Sequence, residues 1–183
     1  MEEVAWYFRL FYIPILNMII GFLLTWIIKP KRMSTPELSK PMMTLSMISF
    51  IIPIVLMWFV PFSINLAFWI GIGIIVFGHV LNSLAYAAMR EHPEKKKAVV
   101  DWGIYKFTRH PHFMHGIITT LGAIVMGWNW NSIIYIVLWA YLVLDIVFNH
   151  FATLMEEKRT AEKLGQEYVD YMNRVPRYFL IKG

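Results

Sequence analysis

Apolar residues in this chain run in long blocks, broken by short polar segments, rather than alternating at helix or strand intervals. Ala5–Ile28, Thr44–Val60, Leu66–Met89 and Asn131–Phe151 are each too long and too apolar for single core helices of so small a domain. A fifth block, Phe113–Trp128, is shorter but continuous in character. About 20 apolar residues cross a bilayer core, and ~17 are tolerable. The pattern predicts an all-α fold, a polytopic membrane helical bundle of about five transmembrane helices, the fourth marginal. The segment after Phe151 reads as a cytoplasmic C-terminal helix continuing out of the last span. The first block is not expected to be a cleaved signal peptide, because it opens on Glu2 and Glu3 and runs too long.

Composition supports the same picture: of 183 residues, 58% are hydrophobic and only 16% charged, unlike an ordinary soluble domain. The charges are also one-sided. Of 17 Lys and Arg, four fall in Lys29–Lys40, six in Arg90–Arg109 and six in Lys158–Lys182. The connections Pro61–Asn65 and Asn129–Trp130 carry none. Five spans would put the three basic segments on one face, cytoplasmic by the positive-inside rule, with the N-terminus opposite. The expected localisation is therefore integral membrane, multi-pass, with basic loops and C-terminus cytoplasmic. Anionic headgroups of the lipid bilayer account for the net charge of +5, so no nucleic-acid partner is implied. The absence of cysteine excludes disulfides, thiolate metal sites and a Cys nucleophile.

Two halves differ in kind. Residues 1–89 read as N-terminal transmembrane helices serving as scaffold, and residues 90–183 hold most of the titratable groups. In the second half, Asp170 and Arg174 are spaced to pair at i, i+4 on the tail helix. Val175-Pro176 should end that helix. The G-x-G of "GIGII" (Gly71 to Ile75) lies inside a span, so helix packing through small residues explains it better than nucleotide binding.

The stretch "KFTRHPHFMHG", Lys106 to Gly116, concentrates polar chemistry at the start of a span. Proline favours the first helical position and disfavours helical geometry before it. His110 should thus end the loop and Pro111 begin a helix, with His112 and His115 on one face. Interfacial histidines at a helix start are the plain alternative. Metal binding is disfavoured, since His79, His92 and His150 form no second cluster, and no metal is expected. Further on, Asp145, Asn149, Ala152 and Glu156 fall on one helical stripe. Either a wet crevice opens at Glu156, or Glu156 and Glu157 are simply solvated and Asp145 is hydrogen-bonded inside the bundle. Arg9 and His79 are candidate partners for Asp145.

"GIYKFTRHPHF", then "EE", then "LGQEYVDYMNRVPR" resembles the isoprenylcysteine carboxyl methyltransferase and phospholipid methyltransferase family, integral membrane enzymes that use S-adenosylmethionine. The resemblance spans roughly residues 97–178. It implies a cofactor pocket of loop, last helices and tail, without a Rossmann domain. It implies His110, Glu156 and Arg109 as catalytic-centre residues, and Val99, Val100, Tyr105, His110, Phe113, Glu156 and Glu157 as S-adenosyl-L-methionine-binding. Arg109 and Pro111 would fix the loop, and Glu157 would complete the acidic pair. Phe113 stands where the family usually has tyrosine, and Ala152 where the carboxyl methyltransferases have arginine. The loop also lacks the glycine pair of the phospholipid methyltransferases.

The implied chemistry suits these side chains. A glutamate can hold the cofactor's ammonium or ribose hydroxyls. Arg109 and His110 offer donors for its carboxylate. Tyr105, Phe113 and Trp102 offer apolar walls for adenine. The acceptor would be a lipophilic small molecule entering between helices. A carboxylate acceptor needs no base; an amine or thiol would, with Asp145, His115 and His150 as candidates. Two alternatives remain open: an NADPH-dependent membrane reductase of the sterol type, and a non-catalytic membrane scaffold.

Overall fold

The computed structural model describes residues 63–91, 99–128 and 133–179, with isolated positions between 52 and 59. The predicted spans Ala5–Ile28 and, but for those positions, Thr44–Val60 lie outside the described residues. Within them the regular elements are helices: α1 (Leu66–Glu91), a short 3-10 turn (Gly103–Lys106), α2 (Pro111–Met126), α3 (Ile133–Leu164) and α4 (Gln166–Arg174).

Local chemistry sets the ends of these helices. At the start of α1 the Asn65 side chain accepts the Phe68 amide at 3.0 Å, satisfying a donor that the first turn leaves unpaired. Pro111 occupies the first turn of α2 with His110 as its N-cap, as its sequence predicts. The tail departs from expectation at Gly165. Rather than one helix leaving the last span, the chain turns there with φ +67° and ψ −145° and restarts as α4. That backbone region is essentially glycine's own, so the break is encoded by one residue. Val175 is extended and ends α4 before Pro176, as expected.

Two described helices are long and apolar enough to cross a membrane, Leu66–Met89 and Ile133–Leu164. Their sides away from the rest of the described chain are apolar: Trp69, Ile70, Phe77 and Val80 on α1, and Val143, Leu144, Val147 and Phe151 on α3, are exposed. Such faces suit hydrocarbon rather than water. α2, with 16 residues, falls short of a full span by itself. α3 has 32 residues, about 48 Å at 1.5 Å per residue, against the ~30 Å of a bilayer core. Its charged run begins at Glu156, so its last turns stand beyond the apolar part.

α1 and α2 cross at small residues. A Cβ on Gly71 would lie 2.5 Å from the Gly122 carbonyl oxygen, and one on Gly122 would lie 2.8 Å from the Gly71 oxygen. Gly78 packs equally closely on Thr119, whereas Gly73 has open space around it. The "GIGII" stretch therefore acts through Gly71 as a packing contact. α3 joins them through a core of Phe68, Ala123, Ile124, Met126, Tyr135, Leu138 and Leu142. The Tyr135 hydroxyl donates to the Ile124 carbonyl at 2.9 Å, satisfying the polar tip of a fully buried ring.

Candidate active site

The loop before α2 is bound to the tail after α4 by hydrogen bonds that span more than sixty residues. The Arg109 amide donates to the Pro176 carbonyl at 3.1 Å. The Thr108 hydroxyl donates to the Arg177 carbonyl at 2.8 Å, and the Tyr171 hydroxyl to the Tyr105 carbonyl at 2.9 Å. Trp102 fixes the loop's other end by donating its indole N–H to the Ala88 carbonyl of α1. Burial raises the Tyr171 phenol above its ordinary value, so the donor keeps its proton.

At the centre of this clamp is Glu157, its side chain only 6% exposed. One carboxylate oxygen accepts His110 Nε2 at 3.0 Å and lies 3.1 Å from Arg109 Nε. The other accepts Arg177 Nε at 3.0 Å and Nη2 at 2.7 Å. Arg109 also donates Nη1 to the Met172 carbonyl at 3.0 Å. Burial by itself would raise the Glu157 carboxyl, but the His110 and Arg177 hydrogen bonds and the Arg109 charge outweigh it and hold the group at about 2. A buried carboxylate is tolerable when paired and hydrogen-bonded in this way.

Glu156, next in sequence, points elsewhere. Its side chain is 44% exposed, and Oε2 lies 4.0 Å from His110 Nδ1. His110 thus uses one ring nitrogen on buried Glu157 and turns the other toward exposed Glu156. The structure brings together His110, Arg109, Glu156 and Glu157, and it separates the two glutamates by environment. The donors foreseen for a ligand carboxylate on Arg109 and His110 are turned inward to Glu157.

Rings surround this pair. Tyr178 lies 4.8 Å from Phe113, 6.4 Å from His110 and 5.8 Å from His150 between ring centroids. Tyr105 is buried with Ala85, Ala88 and Trp102. Burial first, then the Glu156 and Tyr86 charges, push its phenol above the ordinary value. Val99 packs with Tyr168, Tyr171 and Val175 in the tail's apolar core, and Val100 packs against the Trp102 cluster. Trp102, expected as a wall for adenine, is itself a buried core residue.

Other expectations resolve differently. Asp170 and Arg174 make no side-chain ion pair. Gln166 donates to Asp170 Oδ1 at 2.8 Å, and Arg174 lies 3.6 Å from Asp101, because the loop brings that acid to α4. His79 lies beside His115, their tilted rings 5.2 Å apart between centroids, rather than meeting Asp145, whose carboxylate accepts the Asn149 amide at 2.8 Å. His112 and His115 do share one face, toward α1. His112 Nδ1 donates to Asn82 Oδ1 at 2.8 Å, and its ring lies 4.9 Å from Tyr86. Arg9 and His92 lie outside the described residues. Among the described residues, no group of three or more His, Cys, Asp or Glu is placed to hold a metal.

Sequence reasoning missed Arg177 and Tyr178, which complete the centre from the tail. A signal existed on α3: His150, Thr153 and Glu157 recur at i, i+3 and i+7, a second polar stripe beside that of Glu156.

Fold and centre together describe a helical protein with membrane-length apolar helices and a buried charge cluster joining loop, helix and tail. The chain belongs to the family described as protein of unknown function (DUF1295), whose model matches residues 9–175. No curated protein and no solved structure matches it.

Proposed function

We propose that the chain is an integral membrane, multi-pass methyltransferase. It takes S-adenosyl-L-methionine from the cytoplasm and methylates a lipophilic, membrane-embedded small acceptor. In this reading the second half resembles the isoprenylcysteine carboxyl methyltransferases, and the basic loops and C-terminus are cytoplasmic.

The observation that carries it is the pair formed by His110 Nδ1 and Glu156 Oε2, 4.0 Å apart at the polar end of α3. The gap is too long for a hydrogen bond between them, yet one donor placed between them can reach both. The ammonium or a ribose hydroxyl of the cofactor is such a donor, and the exposed carboxylate makes that bond charge-assisted. Phe113 and Tyr178 beside His110 suit a flat heteroaromatic base. On this reading Glu157 binds no ligand. It holds Arg109, His110 and Arg177 in place and so keeps the Glu156 side of His110 available.

Bound there, the cofactor supplies an electrophilic methyl on a sulfonium. The protein's part is to hold that methyl in line with the acceptor and keep water out, which lowers the barrier through positioning. The apolar outer faces of α1 and α3 suit an acceptor that arrives laterally from the bilayer.

Equilibrium binding to the detergent-solubilised protein tests the reading. It predicts saturable binding of S-adenosylhomocysteine, with no competition by NADPH. Binding of NADPH instead would favour a reductase, and binding of neither would leave a scaffold.

A further inference from the structure

The histidine deeper along α3 has a use that the cofactor site leaves open. His150 Nδ1 lies 3.1 Å from the Tyr178 hydroxyl, and the same hydroxyl bonds Thr153. Tyr178 also lies between His150 and His110, so one ring separates His150 from the His110–Glu156 pair. Seven residues before Glu157 on α3, His150 sits about 10 Å nearer the apolar part of the helix. Its neighbours Val147 and Phe151 are exposed and apolar. A molecule entering along this flank from the bilayer would meet His150 before it reached His110.

The other basic candidates are committed or enclosed elsewhere. His112 donates to Asn82. His115 lies beside His79 at the α1 side, its ring tilted at 50° to that neighbour. Its Nε2 is enclosed in the bundle without a hydrogen-bond partner among the described residues. The Asp145 carboxylate takes the Asn149 amide. His150 Nε2 likewise has no hydrogen-bond partner among the described residues but, unlike His115 Nε2, it is not enclosed.

We propose that His150 is the acceptor-side base, oriented by Tyr178, and that the acceptor is a protic nucleophile on a lipophilic body: an amine, thiol or hydroxyl rather than a carboxylate. This rests on the methyltransferase reading and specifies its substrate class. His150 Nδ1–H donates to the Tyr178 oxygen, which fixes the tautomer and presents the Nε2 lone pair. The acceptor heteroatom forms a bond to the methyl carbon as the carbon–sulfur bond breaks. That bond's electron pair stays on sulfur and leaves a neutral thioether. The acceptor's proton passes to His150 Nε2 and from there to water, so charge and atoms balance. A carboxylate acceptor would bring no proton and would leave His150 idle. Tyr178 is a positioning residue in this scheme, acting through His150.

The test combines a spectroscopic and a chemical readout. In protein carrying nitrogen-15 histidine, His150 should be protonated at Nδ1 with a bare Nε2, and Tyr178→Phe should shift it toward a tautomer mixture. Membranes holding the parent protein and given methyl-labelled S-adenosylmethionine should yield lipid-soluble label that survives alkali, as N-, S- and ether-linked methyl groups do. His150→Gln should lower that rate about a hundredfold or more and leave S-adenosylhomocysteine affinity unchanged. The proposal is overturned if His150 carries its proton on Nε2, if alkali releases the label as methanol, or if His150→Gln retains the parent rate. Cofactor product that binds while no label enters any lipid also overturns it. Failure of the parent to bind S-adenosylhomocysteine sinks the methyltransferase reading and this base together.

Discussion

Arg177 donates two hydrogen bonds, at 2.7 and 3.0 Å, to a single oxygen of Glu157, twenty residues earlier in the chain. This ties the tail to α3, and the opposite oxygen of the same carboxylate ties in the loop through His110 and Arg109. Neighbouring Glu156 takes no part in the tie, and that contrast separates folding from binding at adjacent positions. Glu157→Gln leaves a buried Arg109 guanidinium and a partly buried Arg177 guanidinium facing a neutral amide, a loss of up to about 3–5 kcal/mol by the usual cost of breaking a buried pair. Thermal unfolding in detergent should show a clear drop in Tm for Glu157→Gln and almost none for Glu156→Gln. Equal drops would mean that the two side chains are not divided as described.

The same carboxylate makes stability depend on pH. Its folded value, about 2, lies below the ordinary 4.5. A depressed carboxyl contributes fully above its unfolded value, and that contribution is lost as pH falls from about 4.5 toward about 2. Tm should therefore decline over this window in the parent protein and decline less in Glu157→Gln. The same decline in both would place the acid sensitivity in another group.

Much of the second half could be read from the chain alone, for identifiable reasons. Pro111 fixes the start of α2 because its ring and missing N–H suit only the first turn. The phase of a regular helix put His112 and His115 on one face, and they do meet α1 there. Helix phase also separates Glu156 from Glu157, yet two acids in a row read as one acidic pair until the burial of each was known. Arg177 and Tyr178 were invisible because their partners lie 20 to 69 residues away, and only tertiary contact chooses among so many basic and aromatic residues. The Asp170–Arg174 spacing suggested a pair that Asp101, brought in by the loop, replaced.

Packing at the α1–α2 crossing separates two glycines two residues apart. A methyl on Gly71 must displace the Gly122 backbone, whereas one on Gly73 meets nothing within 4 Å. Gly71→Ala should cost about 1–3 kcal/mol through overpacking, and Gly73→Ala should be neutral or slightly stabilising. Thermal stability of the two variants in the same detergent checks this. A Gly73→Ala loss matching that of Gly71→Ala would refute the crossing.

Gly165 permits the turn that returns α4 to the loop. Its φ of +67° with ψ near −145° is closed to residues bearing a Cβ. Space is not the obstacle, since nothing lies within 4 Å of an added Cβ. Gly165→Ala should therefore cost about 1–3 kcal/mol through backbone strain alone. It should also loosen the Tyr171–Tyr105 bond, visible as faster amide exchange in residues 166–177. Unchanged exchange would show that the turn does not seat the tail.

Affinity for S-adenosylhomocysteine in Glu156→Gln, measured beside parent protein of equal Tm, probes the proposed donor site most directly. Loss of a charge-assisted bond worth ~1.5–3 kcal/mol predicts binding weaker by roughly ten- to a hundredfold. Parent-like affinity in Glu156→Gln would contradict the placement of the methyl donor between His110 and Glu156.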